Sequence, residues 1–456
     1  MIEEPVMGSC AITNATWVIN PGSGAPALEN ISIIINEGFI AEMGPADRLD
    51  TQGYQCIDGD GLILIPGLIN THDHFLQNLT RALPAGQNKG LHEWQRAHEQ
   101  IWWQATPEAL ASATQIAAAE RLLSGCTTTV DHNYFWPNGA RVDDQISAMA
   151  EMGMRFHVAR GSITQAGLLG AEDDAAVLAD YERIINRYHD PKPGSQLQIV
   201  LAPRSPYAVT PTLMRESAAL ARRHKVRLHT HLAESQDEVD WARENLGQTP
   251  LLYVESLGWL ADDVWFAHMV ALSSTEIVRV HRSGCGVAHC PCSNMRLGNG
   301  IAPIKAMLAA GLAVSIGLDG GASNDSGHLL NEIRQALLLQ RVNQGAAALS
   351  AEQALSLATV GGAKILGRND IGALAPGMAA DIAGYRLDAL EMAGGAVHDP
   401  LAALVFCPPR QADLVIVNGQ PRVQNGELLG HDLGVMIDRH NRLAKTMAAK
   451  ASNAKV

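Results

Sequence analysis

Pro66-Gly67-Leu68-Ile69-Asn70-Thr71-His72-Asp73-His74 is the stretch that decides the fold, because an apolar run typical of a buried strand ends there in two histidines. Alternate side chains of a strand share a face, so His72 and His74 should point the same way. Neutral imidazole is a common metal ligand, and two imidazoles side by side make half of a zinc site. The stretch therefore predicts a metal centre at the carboxyl end of a strand.

Three further stretches carry polar side chains in the same position, at the end of an apolar run. They are His229–Glu234, Phe266–His268 and Ser315–Gly321. If the runs are neighbouring strands of one sheet, their ends meet, and the polar groups complete the site begun by the two histidines.

The middle of the chain alternates between strand and helix patterns. Pro107–Leu123 has apolar residues at helical spacing, with Thr106 as N-cap, and Pro211–Arg223 is a second predicted helix. Eight strands alternating with helices over about 300 residues predict an α/β fold, a (β/α)8 barrel with its chemistry at the carboxyl ends of the strands. Besides the strand before His72, the predicted strands are Cys126–Phe135, Arg155–Ile163, Leu197–Ser205, Arg227–Leu232, Val264–Val270, Gly286–Asn294 and Ala313–Gly317.

Both ends of the chain show short strands punctuated by glycine and proline. Ala15–Asn20, Ile31–Ile35 and Phe39–Met43 lie at one end, and Ala380–Tyr385 and Ala412–Gly419 lie at the other. Neither set alone can bury both faces of a sheet, so we expect one small composite β-sandwich domain made from both ends.

The resulting domain plan has three parts. Residues 1–66 form the first part of the β domain, 67–366 the metal-dependent barrel, and 367–456 the second part of the β domain. Within the last part, Asp438–Val456 is rich in lysine, alanine and arginine, which predicts a surface helix with a frayed end.

Composition and charge bound the classes of protein that fit. The 456 residues are 47% apolar, enough for a large core, and the net charge of −13 argues against nucleic-acid or anionic-membrane partners. No apolar run approaches the roughly 20 residues of a membrane span, and Met1–Cys10 lacks the pattern of a signal peptide. Seven cysteines without regular spacing indicate reduced thiols. We expect a cytoplasmic enzyme.

The donor set predicted at the strand ends suits one divalent metal ion. His72, His74 and His231 supply three nitrogens, and Asp319 supplies a carboxylate oxygen. A hydrolytic metal site needs such ligands and one position left open for water. Zn²⁺ is the favoured ion, although the same ligands accept Fe²⁺.

Two more groups complete a hydrolytic mechanism. Glu234 follows His231 by three residues and is placed to carry a proton from the attacking water to a ring nitrogen and on to the leaving group. Asp319 can take the proton of the water, and His268 can hold the incoming oxygen. The catalytic prediction is therefore Glu234, His268 and Asp319.

The stretch Pro66–His74, the His229-x-His231-x-x-Glu234 pattern, His268 and Asp319 together resemble the amidohydrolase superfamily, in particular its mononuclear aminohydrolase branch of cytosine, guanine and related deaminases. The resemblance covers almost the whole chain, including a segment after the barrel at Pro376–Asp381. It implies His72, His74, His231 and Asp319 as metal ligands, Glu234 and His268 as catalytic groups, and a homo-oligomer.

The end of the fourth predicted strand separates the branches of that superfamily. Other branches hold two metals with a carboxylated lysine there, whereas Leu201–Pro206 contains no lysine. This favours a single metal and a deaminase over a cyclic amidase.

Three residues are candidate readers of an aminated ring. Gln77 follows His74 by three residues, Trp94 lies in the long loop after the first barrel strand, and Arg204 ends the fourth. The resemblance to guanine deaminases implies that Gln77 and Arg204 hold the carbonyl and nitrogen edge of the ring. The alternatives are a loop hydrogen bond for Gln77, a surface ion pair for Arg204 and plain packing for Trp94.

A finer set of motifs resembles the 8-oxoguanine deaminase subgroup: His74–Pro84, Val130–Tyr134, Ser293–Leu297 and Asp319–Asn324. This implies hydrolysis of 8-oxoguanine to uric acid and ammonia, with isoxanthopterin, guanine and hydroxytriazines as alternative substrates. His132, Tyr134 and Asn324 are expected near the pocket, where His132 and Asn324 could be structural. A non-catalytic barrel should lack at least one ligand or catalytic group, and all six are present.

Overall fold

The computed structural model describes residues 9–453. Residues 1–8, on which the signal-peptide expectation depends, and 454–456, the end of the predicted C-terminal helix, lie outside this range. The strands are β1 Cys10–Val18, β2 Leu28–Asn36, β3 Phe39–Pro45, β4 Gln55–Asp58, β5 Leu62–Pro66, β6 Leu68–Asn70, β7 Asp73–His74, β8 Cys126–Asp131, β9 Arg155–Ser162, β10 Leu197–Pro203, β11 Arg227–Leu232, β12 Val264–His268, β13 Gly286–His289, β14 Ala313–Ile316, β15 Asp319–Gly320, β16 Ile382–Arg386, β17 Leu414–Val417, β18 Gln420–Gln424 and β19 Glu427–Leu428.

In the described part of the chain, fifteen α-helices connect or cover these strands. They are α1 Leu91–Trp102, α2 Pro107–Leu123, α3 Val142–Met152, α4 Asp174–Tyr188, α5 Pro211–His224, α6 Gln236–Leu246, α7 Pro250–Ser256, α8 Ser274–Ser283, α9 Pro291–Arg296, α10 Ile304–Ala309, α11 Leu329–Gln344, α12 Ala351–Leu357, α13 Val360–Ile365, α14 Pro400–Phe406 and α15 Leu433–Asn453. Within residues 9–453, no helix combines the length and the apolar character that a membrane crossing requires.

The eight parallel strands of the barrel run in the order β14-β13-β12-β11-β10-β9-β8-β6. The gap between the first and last strands is bridged where the Thr71 amide donates to the Ile316 carbonyl over 3.0 Å. Just above, β7 and β15 pair with Asp319 opposite Asp73. The predicted (β/α)8 barrel is confirmed, and its closure brings the chemistry of the first and eighth strands together.

Several barrel strands end earlier than the sequence pattern predicts. The prediction Gly286–Asn294 is wrong at its end, because β13 stops at His289 and Pro291 begins helix α9. Proline has no amide hydrogen for a strand ladder and is favoured in the first turn of a helix. β12 stops at His268, whose φ of 73° turns the chain out of the sheet.

The composite β domain takes strands from both chain ends. Its nine-stranded sheet has the order β19-β18-β17-β16-β5-β1-β2-β3, with β4 paired to β1. β5 and β16 join the two ends in antiparallel register, with Leu64 opposite Gly384. One apolar core that includes Ile12, Ile33 and Ile416 lies within the sheet, so the faces of the first and last strands bury each other.

A buried ion pair joins the β domain to the bottom of the barrel. Arg155 begins barrel strand β9, and Asp381 directly precedes β16. The guanidinium donates from Nε to Asp381 Oδ2 over 2.8 Å and from Nη2 to Oδ1 over 2.9 Å. Both side chains are buried, so each charge depends on the other for compensation.

The C-terminal helix α15 is more than a surface element. It packs against α1 and α2 through a buried stripe that contains Met436, His440, Met447 and Ala451. The helical prediction holds, but composition alone did not show that one face is covered. The last helix of the chain therefore lies against the barrel as well as following the β domain.

We expect a fragment of residues 67–366 to be insoluble or inactive. It would leave Arg155 buried without Asp381, and the loss of one partner from a buried ion pair costs about 3–5 kcal/mol. Soluble yield, far-UV circular dichroism and turnover, compared with the full chain, measure this. A soluble, folded and fully active fragment would show that the barrel stands alone.

Candidate active site

The predicted site residues meet on the floor of a cavity of about 460 Å³ at the carboxyl end of the barrel. His72 lies between β6 and β7, and His74 lies in β7. His231, His268 and Asp319 lie in β11, β12 and β15. Short barrel strands thus deliver groups that are far apart in sequence to one point.

The distances between the donor atoms fit a single metal ion. His74 Nε2 lies 3.1 Å from His231 Nε2 and 3.2 Å from Asp319 Oδ1. His72 Nε2 lies 3.4 Å from the same oxygen. Metal–ligand distances of about 2.0–2.2 Å in a tetrahedral site place neighbouring ligand atoms roughly 3.3 Å apart. These three separations are close to that spacing. The ligand atoms of His72, His231, His268 and Asp319 also lie within 4.8 Å of one another, so the cluster as a whole could hold a metal ion.

Backbone carbonyls orient two of these imidazoles. His74 Nδ1 donates to the His132 carbonyl over 2.6 Å, and His231 Nδ1 donates to the Arg204 carbonyl over 2.5 Å. A proton held on Nδ1 leaves the Nε2 lone pair free for a metal. The two hydrogen bonds thus select both the ring orientation and the tautomer that a metal needs.

His72 is oriented through a second histidine. His229 Nδ1 lies 3.0 Å from the Trp265 carbonyl and donates to it, so His229 Nε2 accepts from His72 Nδ1 over 2.8 Å. His72 Nε2 is then a buried acceptor without a hydrogen-bond partner, an unusual state for a buried polar atom unless a ligand completes it. The sequence motif included His229 without a role, although its place two residues before His231 puts both on one strand face.

The electrostatics of the site favour a neutral His72, a neutral His231 and an ionised Asp319. Burial lowers the pKa of His72 to about 3 and that of His231 well below its usual range. Burial also opposes protonation of His74, but the neighbouring Asp319 carboxylate outweighs it and raises the pKa of His74. Burial opposes ionisation of Asp319, but the adjacent rings of His72 and His74 outweigh it and hold the pKa of Asp319 well below its usual range. Neutral nitrogens beside one carboxylate oxygen are a donor set for a divalent metal, so the residues present fit such an ion.

Asp73, between the two histidines of the first strand, anchors the strand end. It is fully buried and accepts from Arg121 on α2 through Nε over 3.1 Å and Nη2 over 2.8 Å. Its other oxygen accepts from the His74 amide over 2.8 Å. Sequence reasoning missed this pair, because a lone arginine in an alanine-rich helix gives no sign of its partner.

Glu234 and His268 face each other beside the donor atoms, with 3.9 Å between Glu234 Oε1 and His268 Nε2. Asn299 donates to Glu234 Oε1 over 3.1 Å, and His268 Nδ1 donates to Asn294 Oδ1 over 3.0 Å. Burial raises the pKa of Glu234, which favours a carboxyl group able to exchange protons. Asn294 was placed in a strand by the sequence pattern, so its contact with His268 was not predicted.

Two of the site residues have strained backbones. His268 has a φ of 73° and Asp319 a φ of 60°, in the left-handed region that non-glycine residues rarely adopt. Such strain persists where the surrounding structure enforces it, and it is concentrated at functional sites.

Gln77, Trp94 and Arg204 all line the cavity. Gln77 Oε1 is buried without a hydrogen-bond partner, and it lies so close to Gly320 that a Cβ atom there would be 1.8 Å away. Trp94 is buried and donates from Nε1 to the Ala322 carbonyl over 3.0 Å, so it packs as well as lining the cavity.

Arg204 is held on the cavity wall by two neighbours. Its guanidinium carbon lies 4.8 Å from the centre of the Tyr134 ring, and its Nη2 lies 3.4 Å from Glu99 Oε1. Both neighbours also line the cavity. The pair with Glu99 on α1 was not predicted, because the two residues lie on different elements far apart in sequence.

His132 and Asn324 support the site from behind, whereas Tyr134 lines the cavity. His132 donates from Nε2 to the Ala202 carbonyl over 2.7 Å, and its ring stacks on His231. Asn324 Nδ2 donates to the Leu318 carbonyl over 2.7 Å and to Glu332 over 2.8 Å. Asn324 thus fixes the turn that follows Asp319.

A barrel that gathers buried histidines and carboxylates at its open end has the architecture of a metal-dependent hydrolase. The chain belongs to the amidohydrolase family, whose sequence model matches residues 63–422.

Known proteins resemble this chain over nearly its whole length. It is 42% identical to the 8-oxoguanine deaminase of Pseudomonas aeruginosa, over 95% of this chain and 99% of that protein. It is 35% identical to an isoxanthopterin deaminase from an unknown prokaryotic organism, over 83% and 84% of the two chains. The crystal structure of atrazine chlorohydrolase from Arthrobacter aurescens TC1 complexed with zinc has a TM-score of 0.90 and 33% identity, over 95% and 100% of the chains.

We expect Zn²⁺ to raise the melting temperature of chelator-treated protein by roughly 3 °C, because a ligand that binds only the folded state stabilises it by about 2.7 kcal/mol at 100 times its Kd. His72→Ala should lose most of this rise, since it removes the donor Nε2, whereas His398→Ala at an exposed position should keep it. Differential scanning fluorimetry measures both. An equal rise in the His72→Ala protein would contradict the assigned ligand set.

Proposed function

We propose that this chain is a metal-dependent aminohydrolase that converts 8-oxoguanine and water to uric acid and ammonia. The observation that carries the proposal is the convergence of a metal donor set, two acid-base groups and unsatisfied polar side chains on one cavity. The similarity to an 8-oxoguanine deaminase over nearly the whole chain supports the choice of ring.

His72, His74, His231 and Asp319 would hold one divalent ion. Zn²⁺ fits this mixed nitrogen and oxygen donor set, which also accepts Fe²⁺. When bound, such an ion supplies Lewis acidity, which lowers the pKa of water from 15.7 to about 7. His268 also lies within 4.8 Å of His72, His231 and Asp319, close enough to act on the same reacting oxygen.

Three side chains move or hold protons during the reaction. Asp319 takes a proton from the attacking water, and Ser323 donates to its Oδ2 over 3.0 Å and steadies the carboxylate. His268 donates from Nδ1 to Asn294, so its Nε2 accepts from the incoming water and holds the oxygen in line. Glu234 carries a proton to a ring nitrogen and then to the departing amine.

The cavity wall supplies complementary groups for a lactam edge, in which a ring N–H adjoins a carbonyl. The Gln77 side chain lines the cavity and its amide can pair with the ring N–H, and the guanidinium of Arg204 is a donor for the carbonyl oxygen. Trp94 and Tyr134 contribute flat apolar surface for the ring. A purine with lactam edges satisfies these groups, and leaving them unpaired is costly.

Isoxanthopterin is the second candidate substrate, because the chain also resembles an isoxanthopterin deaminase and a pterin presents a similar lactam edge. Guanine and hydroxytriazines are the remaining candidate substrates. All of these reactions release ammonia or an amine from an electron-poor carbon, so they share the site and differ in the fit of the ring.

We also propose that the enzyme works in the cytoplasm as a homo-oligomer, with residues 67–366 as the barrel and both flanks as the β domain. All seven cysteines are free thiols, which suits a reducing compartment. Size-exclusion chromatography with light scattering measures the oligomeric state, and a purely monomeric protein at micromolar concentration would remove that part of the proposal.

Ammonia release from zinc-loaded protein should be fastest with 8-oxoguanine, at a kcat/KM above about 10⁴ M⁻¹s⁻¹. Guanine lacks the C8 carbonyl and its adjacent N–H, so it should react more slowly. Isoxanthopterin completes the ammonia panel, and hydroxyatrazine is followed by chromatography because its alkylated amino groups would leave as alkylamines. Turnover of isoxanthopterin alone, or of guanine well above 8-oxoguanine, would overturn the substrate assignment.

Glu234→Gln should lower kcat about 10²–10⁴-fold, because it removes a positioned general acid and base. Metal content, measured by mass spectrometry, should stay at the wild-type level, since Glu234 is not among the four ligands. Glu244→Gln, an exposed change on α6, serves as the charge-matched control. Near wild-type turnover of metal-loaded Glu234→Gln would remove the shuttle role.

A further inference from the structure

Glu238 makes two hydrogen bonds to the backbone of the turn that carries Glu234. Its Oε1 accepts from the Ala233 amide over 3.0 Å, and its Oε2 accepts from the Glu234 amide over 2.7 Å. Both carboxylate oxygens are therefore committed to consecutive amides. The side chain is partly buried and lines the cavity beside Glu234.

The hydrogen bonds of Glu238 differ from those of an acidic residue at an ordinary helix start. Ser235 is the N-cap of α6 and Glu238 is the third helical residue, the position from which an acid usually bonds the N-cap amide. Glu276 in α8 and Gln353 in α12 do this, accepting from the amides of Ser273 and Ser350. Glu238 instead reaches past its N-cap to the two residues before it. Its hydrogen bonds therefore fix the turn and not only the helix end.

The turn needs such support because its backbone is strained. Ala233 has a φ of 50°, in the left-handed region that non-glycine residues rarely adopt. The Ala233 carbonyl is also held, by the amide of Ala271 over 3.0 Å. With both its amide and its carbonyl bonded, the turn presents the Glu234 side chain to His268 and Asn299 in one orientation.

We propose that Glu238 is a positioning residue for the deamination, acting through the backbone of Glu234. This inference depends on the proposed function, in which Glu234 moves the proton. Proton transfer requires the carboxylate within hydrogen-bond reach of the proton that it moves, and a small displacement of a reacting group lowers the rate without changing how the ring is bound.

The test compares steady-state kinetics of zinc-loaded wild type, Glu238→Gln and Asp237→Asn with 8-oxoguanine. Glutamine offers one acceptor oxygen where glutamate offers two, so one backbone amide loses its partner. We expect kcat of Glu238→Gln to fall about 10–100-fold, the range for misplacement of a catalytic group, while KM and zinc content stay within twofold. Asp237→Asn, an exposed change of equal charge in the same helical turn, should match the wild type.

A folded, zinc-loaded Glu238→Gln enzyme with wild-type kcat would overturn the proposal, and so would a loss seen only in KM. If Glu238→Gln does not fold, Ala233→Gly is added to it, because glycine tolerates the positive φ at no steric cost. The double variant is then compared with Ala233→Gly alone. Absence of ammonia release from the wild type would count against the proposed function instead, so the two failures are separable.

Discussion

Hydrogen bonds from Nδ1 of the site histidines are the interactions on which the rest of the site depends. His74 and His231 each donate to a main-chain carbonyl, and His72 donates to His229, which is itself bound to a carbonyl. Each bond fixes a tautomer and aims an Nε2 lone pair at the same point. The barrel supplies these carbonyls because adjacent parallel strands end at the same level. The proposed metal site thus depends on main-chain carbonyls that orient the imidazoles as well as on the imidazoles themselves.

The turns that follow the strands need their own support. Ala233, His268 and Asp319 all adopt positive φ angles, and each is held in place by contacts from outside its own strand. Asn294 secures the His268 ring, and Ser323 and Asn324 secure the turn around Asp319. These hydrogen bonds offset the strain and hold the side chains of the proposed catalytic groups in place. A preorganised polar site of this kind lowers the cost of charge movement during the reaction.

The sequence was sufficient for the barrel and for which polar groups end its strands, because strand ends and helix caps leave local patterns. Thr106 and Pro107 marked the start of α2 correctly. The supporting partners could not be predicted. Asn294 and Glu238 reach their targets across turns with positive φ angles at His268 and Ala233, and Arg121 reaches Asp73 from a helix 48 residues further along the chain. The overlong strand Gly286–Asn294 has the same origin. Periodicity describes the regular part of a strand and says nothing of where the chain turns away.

The pairing of β5 with β16 means that the β sheet can be completed only late in synthesis of the chain. Leu64 and its antiparallel partner Gly384 are at opposite ends of the chain, and ribosomes add about 5–20 residues each second. The amino-terminal strands therefore wait roughly 15–60 s for their pairing partner. During that interval β5, whose residues are all buried in the finished fold, presents an unpaired apolar edge to the cell. The newly made chain is a natural client for chaperones that shield such edges until synthesis is complete.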